Sequence, residues 1–182
     1  MNITVYLGSG AGNDDSIKKA TAELGEWIGK SGNTLVYGGS KIGLMGILAE
    51  GVLSSGGRAI GVEPQFLIDK VLQHEGLTKL IATEGMSERK DRMVELGDVF
   101  IAMPGGTGTL EEISEIMSMI ALGLIDAPCI LYNHKGYYDD LKKQLDKMRE
   151  FGFSDEKRQR NTFFAGSIDE IKEIITEHVK DK

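Results

Sequence analysis

Pro104-Gly105-Gly106-Thr107-Gly108-Thr109-Leu110-Glu111-Glu112 decides how the rest of the chain is read. The apolar run Val99-Phe100-Ile101-Ala102-Met103 precedes it and has the character of a buried strand. Downstream, Leu110, Ile113, Met117 and Ile120 recur at helical spacing. The stretch is therefore a strand–turn–helix junction, with the helix expected to start at Thr109. Its three glycines let backbone N–H groups turn toward a ligand without interference from a Cβ atom. A helix N-terminus adds unpaired N–H donors and the positive end of the dipole. Together these make a site for phosphate.

The carboxylates that follow would repel a phosphate, so their directions matter. With the apolar stripe centred between Leu110, Ile113 and Met117, Glu115 points to water and Glu112 lies on the flank, between Ile116 and Met119. A poorly hydrated carboxylate in the first turn suits an acid or base beside a bound ligand. The same spacing also allows a plainer role, in which Glu111 and Glu112 only complement the helix dipole.

Working outward, strands alternate with helices. Apolar runs at 3–7, 34–37, 58–62, 77–83, 99–103 and 129–132 predict strands, and Phe163-Phe164 a short edge strand. Helical patterns fill roughly 14–30, 44–55, 87–96, 109–125, 137–150 and 168–175, with Asn13 or Asp14 as the first N-cap. Residues 63–76 are less regular and predict a loop with short helical pieces. Continuous apolar strands between helices imply a parallel sheet covered on both faces. The expected fold is α/β: a doubly wound, Rossmann-like, three-layer domain over residues 1–182. Ligands bind such sheets beyond the carboxyl ends of the strands, so the glycine turns at 8–12, 38–43 and 105–108 should gather along one edge.

The first turn lacks the third glycine of a dinucleotide fingerprint, because Asn13 stands in its place, and the second strand ends in Gly38-Gly39 rather than an acid. No glycine turn carries the Gly-Lys-Ser/Thr ending of a P-loop. Residues 8–12 can serve simply as a tight turn between strand and helix. Ser40 and Lys41 add a hydroxyl and a cation to the second turn, with Lys41 read as a solvated surface residue. On the helix at 87–96, Met86 and Met93 define an inward stripe straddled by Arg89 and Lys90. Cations on an apolar face need an anion, either a buried carboxylate or a ligand phosphate. Snorkelling of their stems is the plainer alternative.

The net charge of −7 argues against a nucleic-acid polymer or an anionic membrane as partner. Cys129 is the one cysteine and lies in an apolar run, as a small core residue does. No signal peptide or membrane span is legible, so a cytoplasmic address is the default expectation. His74, His134 and His178 show no metal-ligand spacing, and no Ser-His-Asp set can be read from the sequence.

Residues 104–112 match the PGGxGTxxE signature, and the chain resembles the Lonely Guy (LOG) family of cytokinin riboside 5′-monophosphate phosphoribohydrolases. Gly38-Gly39 with Gly43-Leu44-Met45-Gly46, Gly61-Val62 with Pro64, Gly76-Leu77-Thr78, Met86 with Glu88-Arg89-Lys90 and Met93, Gly136-Tyr137-Tyr138 and Gly152-Phe153 extend the likeness along nearly the whole chain. The first turn reads Gly8-Ser9-Gly10 where the family usually has Gly-Ser-Ser, and Ser40-Lys41 replaces a more usual Gly-Ser. The resemblance implies cleavage of the N-glycosidic bond of a nucleoside 5′-monophosphate, the cytokinin nucleotide or AMP, to free base and ribose 5-phosphate. It implies catalytic roles for Glu112 and Arg89. It implies a substrate-binding set of Gly105, Gly106, Thr107, Gly108, Thr109, Lys90, Ser9, Gly38, Gly39 and Met86. No metal and no other cofactor is expected, and the family is typically dimeric, so a homodimer is expected. The alternative is a non-catalytic nucleotide or molybdenum-cofactor carrier on the same fold.

Overall fold

The computed structural model describes residues 1–70 and 72–180. Seven parallel strands form one sheet: β1 (Asn2–Tyr6), β2 (Thr34–Tyr37), β3 (Arg58–Pro64), β4 (Lys79–Thr83), β5 (Val99–Ala102), β6 (Cys129–Tyr132) and β7 (Thr162–Ala165). Their order is β4-β3-β2-β1-β5-β6-β7. The chain winds outward from β1 to β4, then returns to β1's other side and winds out to β7. That reversal makes a switch point between β1 and β5, where the connecting loops part and leave a crevice.

Helices α1 (Asp15–Lys30), α2 (Gly43–Ser54) and α7 (Ile168–Lys180) cover one face, and α4 (Met86–Leu96), α5 (Thr107–Ala121) and α6 (Asp139–Glu150) the other. The short α3 (Gln65–Ile68) is the helical piece expected between β3 and β4. Alternation along each strand feeds both cores. Val99, Ile101 and Met103 pack with the α1/α2/α7 layer, whereas Phe100 and Ala102 pack with the α4/α5 layer. Asp14 caps α1, its side chain accepting from the Ser16 amide. Gly25, Gly29 and Gly51 bring α1 and α2 together backbone to backbone. A Cβ at these positions would lie 2.5, 2.6 and 2.9 Å from the carbonyl oxygens of Leu48, Val52 and Ala22.

Several boundaries move. Helix α5 starts at Thr107, not Thr109, so its first turn takes in part of the glycine stretch. Strand β4 starts at Lys79, because Thr78 spends its amide on the Ala59 carbonyl and its hydroxyl on the Ala59 amide. Tyr137 and Tyr138 precede α6. A 3₁₀ turn at His134–Gly136, with positive φ at Lys135 and Gly136, delays the helix. Among the described residues no helix is long and apolar enough to cross a membrane.

Candidate functional site

The switch point brings the glycine turns together, as expected. After β1, the Gly8 amide donates to the Pro104 carbonyl at 3.3 Å. A Cβ on Gly43 would lie 2.1 Å from the Ser9 carbonyl oxygen, so the first and second turns touch along their backbones. At Gly105 a Cβ would fall 2.2 Å from Thr109 Oγ1 and 2.9 Å from the Gly8 nitrogen, which leaves room only for glycine. Thr109 is buried, whereas Gly106, Thr107 and Gly108 are exposed. No side chain caps α5, so the first-turn N–H groups of the helix remain available. A cleft of about 420 Å³ opens beside this turn, lined in part by Ser9, Asp14, Leu44, Gly105, Gly106 and Tyr137.

Helix α5 is rotated from the sequence-based expectation. Its buried face carries Thr109, Glu112, Ile113, Ile116 and Ile120, while Leu110 is 43% exposed. The apolar pattern alone placed Leu110 inward. The structure gives that direction to two polar residues instead, and Glu112 sits on the buried face rather than its flank. Burial pushes the Glu112 carboxyl up to about 7, against the opposing pull of Arg89.

Arg89 is buried as well, and its Nη1 lies 3.5 Å from Glu112 Oε1. Its Nε donates to the Val62 carbonyl at 3.0 Å, which anchors the guanidinium at the end of β3. A Cβ on Gly38 would lie 2.1 Å from Arg89 Nη2, so the glycine after β2 makes space for this cation. Gly39 has a positive φ of 86° and packs against the Glu63 side chain. Met86, expected inward, is 41% exposed, because Arg89 takes the buried position one turn on. Met86 Sδ stays 3.9 Å from Arg89 Nη1. Lys90 does not share Arg89's setting: its ammonium pairs with Glu111 and, at 3.2 Å, with Glu115. Glu111 raises the Lys90 pKa further.

Two features escaped the sequence reading. Glu63, next to last in β3, is fully buried, and its Oε2 has no hydrogen-bond partner among the described residues. Burial raises its pKa, with Arg89 acting in the opposite direction. A charged residue near the carboxyl end of an apolar strand was the available signal. The structure also groups Ser16, His134 and Asp14. Ser16 Oγ lies 2.7 Å from His134 Nε2 and donates to Asp14 Oδ1. The other ring nitrogen meets the Tyr132 hydroxyl rather than a carboxylate, so the order of a hydrolytic triad is absent here.

Comparison with known proteins gives the chain its family. The family model described as possible lysine decarboxylase covers residues 45–178. The cytokinin riboside 5′-monophosphate phosphoribohydrolase LOG1 of Arabidopsis thaliana is 38% identical over 177 residues, spanning 97% of this chain and 83% of that protein. The cytokinin riboside 5′-monophosphate phosphoribohydrolase of Rhodococcoides fascians is 40% identical over 153 residues, 84% of this chain and 77% of that one. Among solved structures, the Moco carrier protein of Chlamydomonas reinhardtii superposes with a TM-score of 0.75 at 21% identity, over 100% of this chain and 98% of that chain. The molybdenum cofactor binding protein of Rippkaea orientalis does so at 0.73 and 22%, over 98% and 96%. These two likenesses speak for the fold alone. With relatives this similar over nearly its whole length, the chain belongs to the LOG family of phosphoribohydrolases.

Proposed function

We propose that the protein hydrolyses the N-glycosidic bond of a nucleoside 5′-monophosphate, cytokinin riboside 5′-monophosphate or AMP, giving free base and ribose 5-phosphate. The observation that carries this reading is a buried carboxylate, Glu112, on the helix that starts in the glycine turn and 3.5 Å from a buried guanidinium. Breaking the bond between the sugar carbon and the base nitrogen builds positive charge on the ribose. An ionised Glu112 stabilises that charge, or takes a proton from the water that adds to the sugar carbon. The base leaves with the bonding electron pair and gains a proton. Arg89 then serves as a fixed cation for an anionic or hydroxyl-bearing part of the substrate. The free amides at 105–109 hold the phosphate, with Ser9, Gly38, Gly39 and Met86 around the sugar and base. Lys90, held by Glu111 and Glu115, supports the phosphate side at longer range.

Incubation with the cytokinin nucleotide and with AMP, followed by detection of free base and ribose 5-phosphate, tests the reaction. Tight binding of both without any free base would instead support a carrier. We further propose a homodimer. Leu122 and Leu124, just past α5, are 74% and 66% exposed, and a second subunit would cover them. Light scattering should give twice the chain mass; an active monomer would remove this part of the reading.

A further inference from the structure

The amides that await an anion are aimed by groups on the opposite side of the turn. A trans peptide is planar, so its C=O and N–H point in opposite directions. Whatever holds the carbonyl of one residue therefore sets where the amide of the next one points. Two successive peptide planes of the glycine turn are held in this way. The Pro104 carbonyl accepts from the Gly8 amide, which turns the Gly105 N–H away from β1's loop. The Gly105 carbonyl accepts from the Tyr137 hydroxyl, which turns the Gly106 N–H away from Tyr137. Neither amide has an acceptor among the described residues.

We propose that Tyr137 is a positioning residue for the phosphate turn: its hydroxyl fixes the peptide plane between Gly105 and Gly106 so that the Gly106 amide faces the substrate's phosphate. The inference rests on the function proposed above. Three observations support it. Tyr137 is 50% exposed, so its ring contributes little to the core. It lines clefts on both sides of the turn, one with Gly8 and Asp14 and one with Thr107 and Leu110. And the loop that carries it is tied down. Lys135 Nζ donates to Asp14 at 2.8 Å, His134 meets Ser16 at 2.7 Å, and the Tyr138 amide donates to Asn133 Oδ1 at 2.7 Å. A hydroxyl on so fixed a loop holds the carbonyl in one place.

The neighbouring tyrosine provides the control. Tyr138 is buried and donates to the Met103 carbonyl at 2.9 Å, in the same manner. The residue after Met103 is Pro104, which has no N–H. Fixing that plane presents no amide to a ligand, so Tyr138 acts on stability alone.

The test compares Tyr137→Phe and Tyr138→Phe with the unaltered protein. Calorimetry measures AMP, ribose 5-phosphate and adenosine binding; kinetics separate kcat from KM; melting reports the fold. Tyr137→Phe should weaken AMP and ribose 5-phosphate binding by about tenfold, raise KM to match, and leave kcat within about twofold. Its adenosine binding and melting temperature should stay unchanged. Tyr138→Phe should lower the melting temperature without selecting against phosphate. Phosphate binding by Tyr137→Phe within twofold of the original would overturn the proposal. So would an equal loss of AMP and adenosine binding, which would make Tyr137 a general scaffold residue. If no free base is released even by the original protein, the hydrolase reading fails, yet the calorimetry still decides the role of Tyr137.

Discussion

Glu112→Gln is expected to cost at least ~10³ in kcat/KM while nucleotide binding survives, the range set by lost acid–base and electrostatic stabilisation. The same change should flatten the pH dependence of the protein's stability in mild alkali. Desolvation raises the carboxyl from 4.5 to about 7 even with Arg89 beside it. Between those values the native state holds a proton that the unfolded chain has released. Stability therefore falls as the pH rises through that window, and the whole deficit remains above it. Removing the charge abolishes this slope but also takes the carboxylate from the buried Arg89, so the variant's melting temperature should change less than the original's between pH 4.5 and pH 8. Because the ionised form performs the chemistry proposed, kcat/KM of the unaltered enzyme should rise as the pH passes through about 7. Paired melting curves and pH–rate profiles check both halves. Near-normal turnover in the variant would move the chemistry to another group. Glu111→Gln, on the exposed side and paired with Lys90, should be far milder.

The second large effect concerns the phosphate itself. A nucleoside 5′-monophosphate should be cleaved at least ~10³ faster, in kcat/KM, than the matching nucleoside. Each charge-assisted hydrogen bond to the phosphate is worth roughly 1.5–3 kcal/mol, and two or three of them reach that factor when spent on orienting the ribose. The free amides after β5, with α5 starting at Thr107, are the donors in question. Chelator should change neither rate, since no three His, Cys, Asp or Glu side chains group as metal ligands among the described residues. AMP and adenosine, each assayed with and without chelator, give the answer. Equal rates on the two would mean that the turn does not serve phosphate.

Much of the architecture is legible from local signals. Apolar strands, glycines directly after them and helical periodicity lead to a doubly wound parallel sheet, and the structure has one. Arg89 stands out because a cation on an apolar helix face requires an anion, and Glu112, expected on the flank of its own helix, is the carboxylate it meets. What the pattern misses is equally physical. Periodicity assigns apolar residues to the core, so it turned Leu110 and Met86 inward; the site gives those directions to Glu112 and Arg89. Periodicity sets Lys90 beside the same inward stripe as Arg89, yet the structure turns Lys90 to the other side, where it meets Glu111 and Glu115. Tyr137 reaches Gly105 across 32 residues of chain, a contact that depends on the order of β5 and β6 in the sheet and on no local motif.

The close α1–α2 seam changes how mutational tolerance should be interpreted in this protein. Glycines are usually suspected of serving a ligand when they resist substitution. Here Gly25, Gly29 and Gly51 resist it because a methyl group would strike a facing carbonyl, on the layer that carries neither Arg89 nor Glu112. A saturation scan scored by cell survival would rank them beside Gly105 and Gly38. Scored by abundance and by turnover per folded molecule, the glycines separate into two classes. Seam variants disappear from the first measure and keep the second, whereas variants at Gly105 and Gly38, where a Cβ would strike Thr109 and Arg89, lose turnover per folded molecule.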